Sequence, residues 1–356
     1  MHDAYQIEET SAVLNVMRKP ISLKEIARLA HVSHPTVSRA LQNSPLVSPS
    51  TRDRIRKIAA EYGYRPNRNA RSLVTQRSNS IGCVVTDIAD PFIGEVISGV
   101  EQIAAEHEYS IILTSSGGDP DRETRAVRSL VERAIDGVLV IAAMAGGAPS
   151  PYFSEREIPI VLINNHHPGN FVHSIGVANF EGAQLMTQHL LQLGHRRIGY
   201  IGNQFGGQAD EDRYRGYRAA LKKVRVRYAS ELVVDSESSL EGGCRGMKQL
   251  LDSPARPTAV FCYDDITALG AYKAIRAAGL QISKDISVAG FDDLFFSSYL
   301  EPSLTTISQP MREMGERAMK LLLDLVAPST NGKRPKKTQI VIPGKLMIRN
   351  STSTLR

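Results

Sequence analysis

The sequence predicts two unlike parts: an all-α N-terminal unit of three short helices, then an α/β core of two doubly wound parallel-sheet lobes. Three observations carry this. The basic excess of the chain is confined to one short segment near its start. That segment holds three capped amphipathic helices. From about residue 80 onward, buried-strand patterns alternate with helical patterns of roughly ten to fifteen residues, the signature of parallel sheets covered on both faces.

The chain has 356 residues and carries 43 Lys and Arg against 37 Asp and Glu. Residues 18–79 hold 13 basic and 3 acidic side chains, a local balance of +10, while residues 80–356 hold 30 and 31. A uniformly solvated surface does not segregate charge this way. Such a segment is the footprint of a polyanion binder, because each neutralised phosphate releases condensed counterions. At 42% hydrophobic, the composition is that of a globular chain. No stretch approaches the ~18 consecutive apolar residues of a membrane-spanning helix, and no signal-peptide pattern opens the chain. Cys83, Cys244 and Cys262 lie far apart, with neither a disulfide framework nor paired metal-ligand spacing. A membrane or disulfide-stapled secreted protein is excluded; the expected location is cytoplasmic, with no membrane contact and no cofactor.

In the first helix Ser22 and Glu25 form a capping box, the serine accepting from the N3 amide while the glutamate reaches back. Leu23, Ile26, Ala27 and Ala30 then line one helical face. His31-Val32 breaks the pattern, and Ser33 caps a second helix with Pro35 in its first turn and Val37 and Leu41 inward. Ser48-Pro49 opens a third helix, with Ile55, Ile58 and Ala59 set between Arg52, Arg54, Arg56 and Lys57. Two short helices joined by a tight turn, with a third behind, make a helix-turn-helix, whose second helix enters the DNA major groove. A basic disordered tail has no reason to carry three caps and three apolar stripes.

The run Leu23-Lys24-Glu25-Ile26-Ala27, then Val32-Ser33-His34-Pro35-Thr36-Val37-Ser38-Arg39-Ala40-Leu41, resembles the DNA-binding headpiece of the lactose repressor/galactose repressor (LacI/GalR) family. The resemblance continues through Val47 to Arg52, Tyr62-Gly63-Tyr64-Arg65-Pro66-Asn67 and Ala70-Arg71-Ser72-Leu73, and covers the chain from about Lys19 onward. It implies that His34, Pro35 and Arg39 meet base edges, with Arg39 suited to a bidentate contact with guanine. Ser33, Thr36, Ser38 and Tyr64 match phosphate-contacting positions. Ser22, Leu23 and Gln42, with Asn67, Ala70 and Leu73 of a hinge helix, complete the implied DNA-contact set, Leu73 as a wedge in the minor groove. His31 departs from the family, which usually has glycine in that turn; the residue is workable if the turn needs no positive φ.

After a polar linker at residues 74–79, strands are expected at Ile81–Val85, Ile111–Leu113, Val138–Ile141, Ile160–Ile163, Ile198–Ile201, Leu232–Val234, Ala259–Phe261 and Ile286–Ala289. Helices are expected at Ile93–Ala105, Asp121–Ala134, Phe180–Leu193, Arg213–Val224, Leu240–Leu251 and Ile266–Ala278, with an apolar-striped helix at Met311–Leu325. Nearly 280 residues suit two lobes better than one. The resemblance implies a periplasmic-binding-protein-like core, with one lobe at about 80–178 and 308–327 and the other at about 179–307 and 330–356. The expected domains are an unfolded extension at 1–19, the helix-turn-helix at 20–66, a hinge and linker at 67–79, and the core at 80–356.

Ligands of open α/β sheets bind outside the carboxyl ends of the strands. There, Asp90-Pro91-Phe92 starts a helix, so Phe92 can present a stacking face to a sugar or base. Arg213 and Asp292 match the family's ligand-binding arginine and aspartate, and such a pair can serve vicinal hydroxyls or a polar heterocycle. Asn164 and Asp264 complete the candidate effector set, with Asp265 read as a helix cap. Asp264 stands where sugar-responsive relatives often have asparagine, Ala178 where aspartate is frequent, and Asn164-Asn165 where Asp-Arg is common. The cleft is therefore polar and amide-rich, and a carbohydrate is the effector class the resemblance implies.

An enzyme of similar core would need a catalytic signature, yet no G-x-S-x-G elbow, Walker-type loop or H-E-x-x-H is present. His166-His167 reads as loop. A solute-binding protein would need an export signal and has no use for a helix-turn-helix. The expected function is a non-enzymatic transcriptional regulator, a repressor acting as a homodimer on a pseudopalindromic double-stranded operator, with a small-molecule effector bound between the lobes.

Overall fold

A computed structural model describes residues 21–64, 77–142, 158–164, 173–327 and 338–355. The extension at 1–19 and the hinge residues Asn67, Ala70 and Leu73 lie outside the described residues, as do His166 and His167. The chain divides into two compact units, residues 1–76 and 77–356.

In the first unit, helices α1 (Leu23–Leu29), α2 (His34–Leu41) and α3 (Pro49–Glu61) close around Ile26, Ala30, Val37, Ala40, Val47 and Ile55. Each start is capped as its sequence dictates. The Ser22 capping box is complete, the Glu25 amide donating to Ser22 Oγ at 3.3 Å and the Ser22 amide to Glu25 Oε2 at 2.7 Å. Ser33 Oγ accepts from the Thr36 amide, and Ser48 Oγ from the Thr51 amide. The turn between α1 and α2 does demand a left-handed residue: His31 has φ 50°, its amide donating to Arg28 O and that of Val32 to Ala27 O. The turn thus requires the positive φ that glycine adopts freely, and histidine in its place is a small strain. Histidine is among the side chains that enter this region most readily, but it still pays about 1 kcal/mol relative to glycine.

The second unit contains two parallel sheets. The first orders its strands β11-β5-β4-β3-β1-β2: Thr338–Ile342, His173–Val177, Ile160–Ile163, Gly137–Ile141, Ser80–Val85 and Ser110–Ser115. The second is β7-β6-β8-β9: Val233–Ser236, Ile198–Asn203, Ala259–Cys262 and Ser287–Ala289. Central strands such as β3 and β8 are buried at every position, as parallel strands covered on both faces must be. A short antiparallel pair, β10 (Thr306–Ser308) with β12 (Lys345–Met347), accompanies them.

One boundary is corrected. Residues 338–342, expected in the second lobe, pair in parallel with β5 in the first sheet, Ile340 opposite Ile175. Beyond β12 the chain returns to the second lobe, where Ser351 Oγ donates to Val288 O and the Thr305 amide donates to Ser351 Oγ. Strands β5, β10 and β12 carry no strong apolar run; β11 carries Ile340-Val341-Ile342, and none of the four was predicted.

Helices α4 (Pro91–Glu106), α5 (Pro120–Glu132) and α10 (Met311–Val326) cover the first sheet. Helices α6 (Asn179–Gln192), α7 (Gly207–Lys223), α8 (Leu240–Asp252) and α9 (Asp265–Ala277) cover the second. The stripe foreseen on α10 is buried at Met311, Met314, Ala318 and Leu322. It packs on α4 at backbone contact distance: a Cβ on Gly99 would lie 2.0 Å from Arg312 O, and one on Gly315 2.0 Å from Val96 O. Only glycine allows that approach.

Candidate functional site

The structure offers two sites, one in each unit. In the first, α2 buries Val37 and Ala40 completely, so its opposite face stands out. His34, Pro35, Arg39 and Gln42 are exposed and Ser38 half-exposed, all on one stripe of the helix. Arg39 thus has the reach for a base edge. Ser22, Ser33 and Thr36 are engaged in the caps: Ser22 Oγ donates to Glu25 Oε2 at 2.7 Å, and Ser33 Oγ and Thr36 Oγ1 share a 2.8 Å contact in which one hydroxyl donates to the other. Leu23 and Tyr64 are half-buried against the helical core, and burial pushes the Tyr64 phenol above its ordinary pKa.

The second site lies at the carboxyl ends of the parallel strands in the core unit. Helix α7 begins at Gly207, six residues before the expected start, which places Arg213 mid-helix and 1% exposed. Its guanidinium is held on all sides. Nε donates to Asn179 Oδ1 at 2.9 Å and Nη1 to Tyr263 O at 2.5 Å. The cation lies 3.8 Å from the Phe291 ring centroid and 4.4 Å from that of Tyr263. Nη2 faces Asp292 Oδ1 at 3.6 Å.

Asp292 has φ 119°, a region non-glycine residues avoid. The neighbouring strand holds it there: its amide donates to Ile307 O at 2.7 Å, and the Gln309 amide donates to Asp292 O at 3.1 Å. Gln309 Nε2 also donates to Asp292 Oδ1. Burial, helped by Asp264 and Asp265 and opposed by Arg213, pushes the Asp292 carboxyl well above the ordinary carboxylate range.

Asp264 caps α9, accepting from the Thr267 amide at 2.7 Å, and its other oxygen accepts from Ser238 Oγ. Asp265, expected to be the cap, is instead a buried hub. It accepts from the Leu294 amide and from Ser297 Oγ and Thr306 Oγ1, all within 2.8 Å, and burial raises it to about 7. Asp90 caps α4 through the Phe92 amide; burial, with a contribution from Asp264, lifts it to about 6. Phe92 is only 6% exposed and belongs to an apolar cluster that also contains Leu294. Asn164 closes β4 with φ 55°. Four polar side-chain atoms of this region are buried without a protein partner: Asn164 Oδ1, Asn179 Nδ2, Thr267 Oγ1 and Gln309 Oε1. Among the described residues no group of His, Cys, Asp or Glu is placed to hold a metal ion, and no helix is long and apolar enough to cross a membrane.

Residues 22–67 match the bacterial regulatory proteins of the lacI family, and residues 187–352 match the periplasmic binding protein-like domain. The ribose operon repressor of Haemophilus influenzae is 36% identical over 307 residues, which is 86% of this chain and 92% of the relative. The chain belongs to the lacI family. Among solved structures, the lac repressor dimer bound to operator and the anti-inducer ONPF is similar with a TM-score of 0.83 at 26% identity, over 94% of this chain and 100% of that one. The cellobiose complex of the transcriptional regulator CelR is similar with a TM-score of 0.70 at 30% identity, over 93% and 99%. As a lacI-family protein the chain is a DNA-binding transcriptional regulator. Its helical unit is the DNA-binding domain, and its α/β unit has the periplasmic-binding-protein-like fold that binds effectors.

Sequence reasoning singled out Arg213 and Asp292 but not Asn179 or Gln309, which the structure bonds to them. Asn179 was visible as the residue opening a helix. Gln309 carried no local signal, because only the return of the chain between the lobes sets it beside Asp292.

Proposed function

We propose that this lacI-family regulator is a homodimeric repressor that binds a pseudopalindromic operator and responds to a carbohydrate held by Arg213, Asp292 and Asn164. The observation that carries the reading is the buried Arg213–Asp292 pair, whose two amide partners, Asn179 and Gln309, each keep one buried polar atom without a partner. A charged donor and a charged acceptor fixed side by side suit vicinal hydroxyls, which donate and accept at once. Asn179 Nδ2 offers a further donor, and Gln309 Oε1 and Asn164 Oδ1 further acceptors. Phe92 and Asp264, largely committed to packing and capping, shape the wall more than they touch the ligand. A sugar also agrees with the names of the ribose operon repressor and the cellobiose-bound CelR.

Two headpieces on a dimer match two half-sites. His34, Pro35 and Arg39 read base edges, Ser22, Leu23, Ser33, Thr36, Ser38, Gln42 and Tyr64 set the register on the backbone, and Asn67, Ala70 and Leu73 belong to a hinge that folds on DNA. The proposed domains are 20–66 for DNA binding, 67–79 for the hinge and linker, and 80–356 for effector binding and dimerisation, in the cytoplasm. The effector acts through its differential affinity for the two arrangements of the dimer.

The test is fluorescence anisotropy on a symmetric site selected from random DNA, with a panel of sugars and nucleobases and with Leu73→Ala. Tight palindrome-specific binding that a sugar shifts and Leu73→Ala weakens is the expected result. Binding without sequence preference overturns the operator reading. A response to nucleobases alone overturns the carbohydrate.

A further inference from the structure

A second concave surface lies on the outer side of the second lobe, away from the Arg213–Asp292 pair. It is a groove of about 520 Å³ lined by Phe180, Arg215, Arg218, Lys222, Arg225 and Tyr228 over a floor of small and aliphatic side chains. Arg215, Arg218 and Lys222 follow one another at spacings of three and four residues, so they occupy one face of α7. Arg225 extends the row beyond the helix end. All four cations are exposed. Among the described residues, the one ion pair they make is Arg215 with Asp212, at 2.9 Å. Like charges at this spacing repel by a few tenths of a kcal/mol per pair, and an anion bound across the row would relieve that repulsion.

The groove is also aromatic. The Arg218 guanidinium lies 4.8 Å from the Tyr228 ring centroid and 5.7 Å from that of Tyr214, and Arg215 lies 5.6 Å from the Phe180 ring. Tyr214 and Tyr228 share a 2.8 Å hydroxyl contact that fixes the wall. From Arg215 to Lys222 the row runs roughly 10 Å along the helix, longer than one phosphate group. Planar arginine forks grip phosphate oxygens in pairs, lysine adds a point charge, and aromatic faces accept a flat ring.

We infer that this groove is a second ligand site, taking an organic polyphosphate that carries an aromatic ring, of the nucleoside polyphosphate class. The same helix serves both sites: Arg213 points inward to the cleft, while Arg215 and Arg218 point outward. Asn179, which holds Arg213, adjoins Phe180 in the groove wall.

The experiment titrates the full chain at physiological salt with ATP, adenosine, inorganic tripolyphosphate and poly-glutamate by isothermal calorimetry. ATP should bind at least tenfold more tightly than adenosine or tripolyphosphate. Arg218→Glu combined with Lys222→Glu should weaken ATP at least tenfold, while operator binding stays unchanged and reports an intact fold. If the double variant loses operator binding, Arg225→Gln takes its place, with a severalfold loss expected. Absence of ATP binding at millimolar concentration, or binding unaffected by these variants, overturns the inference. Capture of poly-glutamate but not ATP overturns it in favour of an acidic protein partner. Sugar response at Arg213 is read separately, so either reading can fail alone.

Discussion

Arg213 Nη2 and Asp292 Oδ1 stand 3.6 Å apart with side chains 2% and 10% exposed, and neither holds its place alone. Asn179 and the Tyr263 carbonyl anchor the arginine; Gln309 and a left-handed backbone anchor the aspartate. Removing either charge leaves the other buried and uncompensated, which typically costs 3–5 kcal/mol. Arg213→Ala is therefore expected to lower the thermal midpoint of the core unit by several degrees and to abolish the effector response. Asp292→Asn, which keeps the shape, should cost less stability yet weaken the effector at least tenfold. Calorimetric melting with effector titration separates the two.

His31→Gly relieves a positive φ in the turn of the helix-turn-helix, and should stabilise that unit by about 0.5–1 kcal/mol. His31→Val, with a β-branched side chain in the same region, should destabilise it. Amide hydrogen exchange of α1 and α2 reads both directly.

Arg39→Ala removes an exposed guanidinium from α2 without touching the Val37–Ala40 face. A bidentate base contact is worth about 1–3 kcal/mol. Operator affinity should fall by roughly ten- to hundredfold, with preference relaxed at one base pair of each half-site. Ser33→Ala removes a cap and should cost about 1 kcal/mol of headpiece stability. Selection on randomised half-sites and thermal melting distinguish the two effects.

His189 and His195 fasten the C-terminal segment to the second lobe. His189 Nε2 meets Thr352 Oγ1, and His195 meets Thr258, Ser287 and the Ser353 carbonyl, each at 3.0 Å. Burial lowers both imidazole pKa values below 6.5, with His195 lowering His189 further. The unfolded chain therefore takes up these protons before the folded one. The stability they contribute is present above about pH 6.5 and declines as pH falls from there through their folded values. NMR titration should show both rings protonating below 6.5, with amide protection of residues 351–353 falling over the same range.

Much of this molecule is written in near-neighbour chemistry. Ser22 with Glu25, Ser33 before Pro35, and Ser48 before Pro49 announce three helices, because a cap and its partner amide lie within three residues. The alternation of buried strands and amphipathic helices announces parallel sheets. Arg213 and Asp292 were legible as a motif.

What only the tertiary structure decided concerns partners far apart in the chain. Which sheet receives 338–342 depends on the vacant edge of β5, some 165 residues earlier, and nothing in Thr-Gln-Ile-Val-Ile names that edge. Asp264 and Asp265 are indistinguishable as letters, yet one caps α9 while the other gathers Leu294, Ser297 and Thr306. Gln309 reaches Asp292 only because the chain crosses between lobes at that point. Capping and periodicity act over a few residues and are readable locally. Burial, sheet edge and counter-charge are set by segments that meet only when the whole core closes.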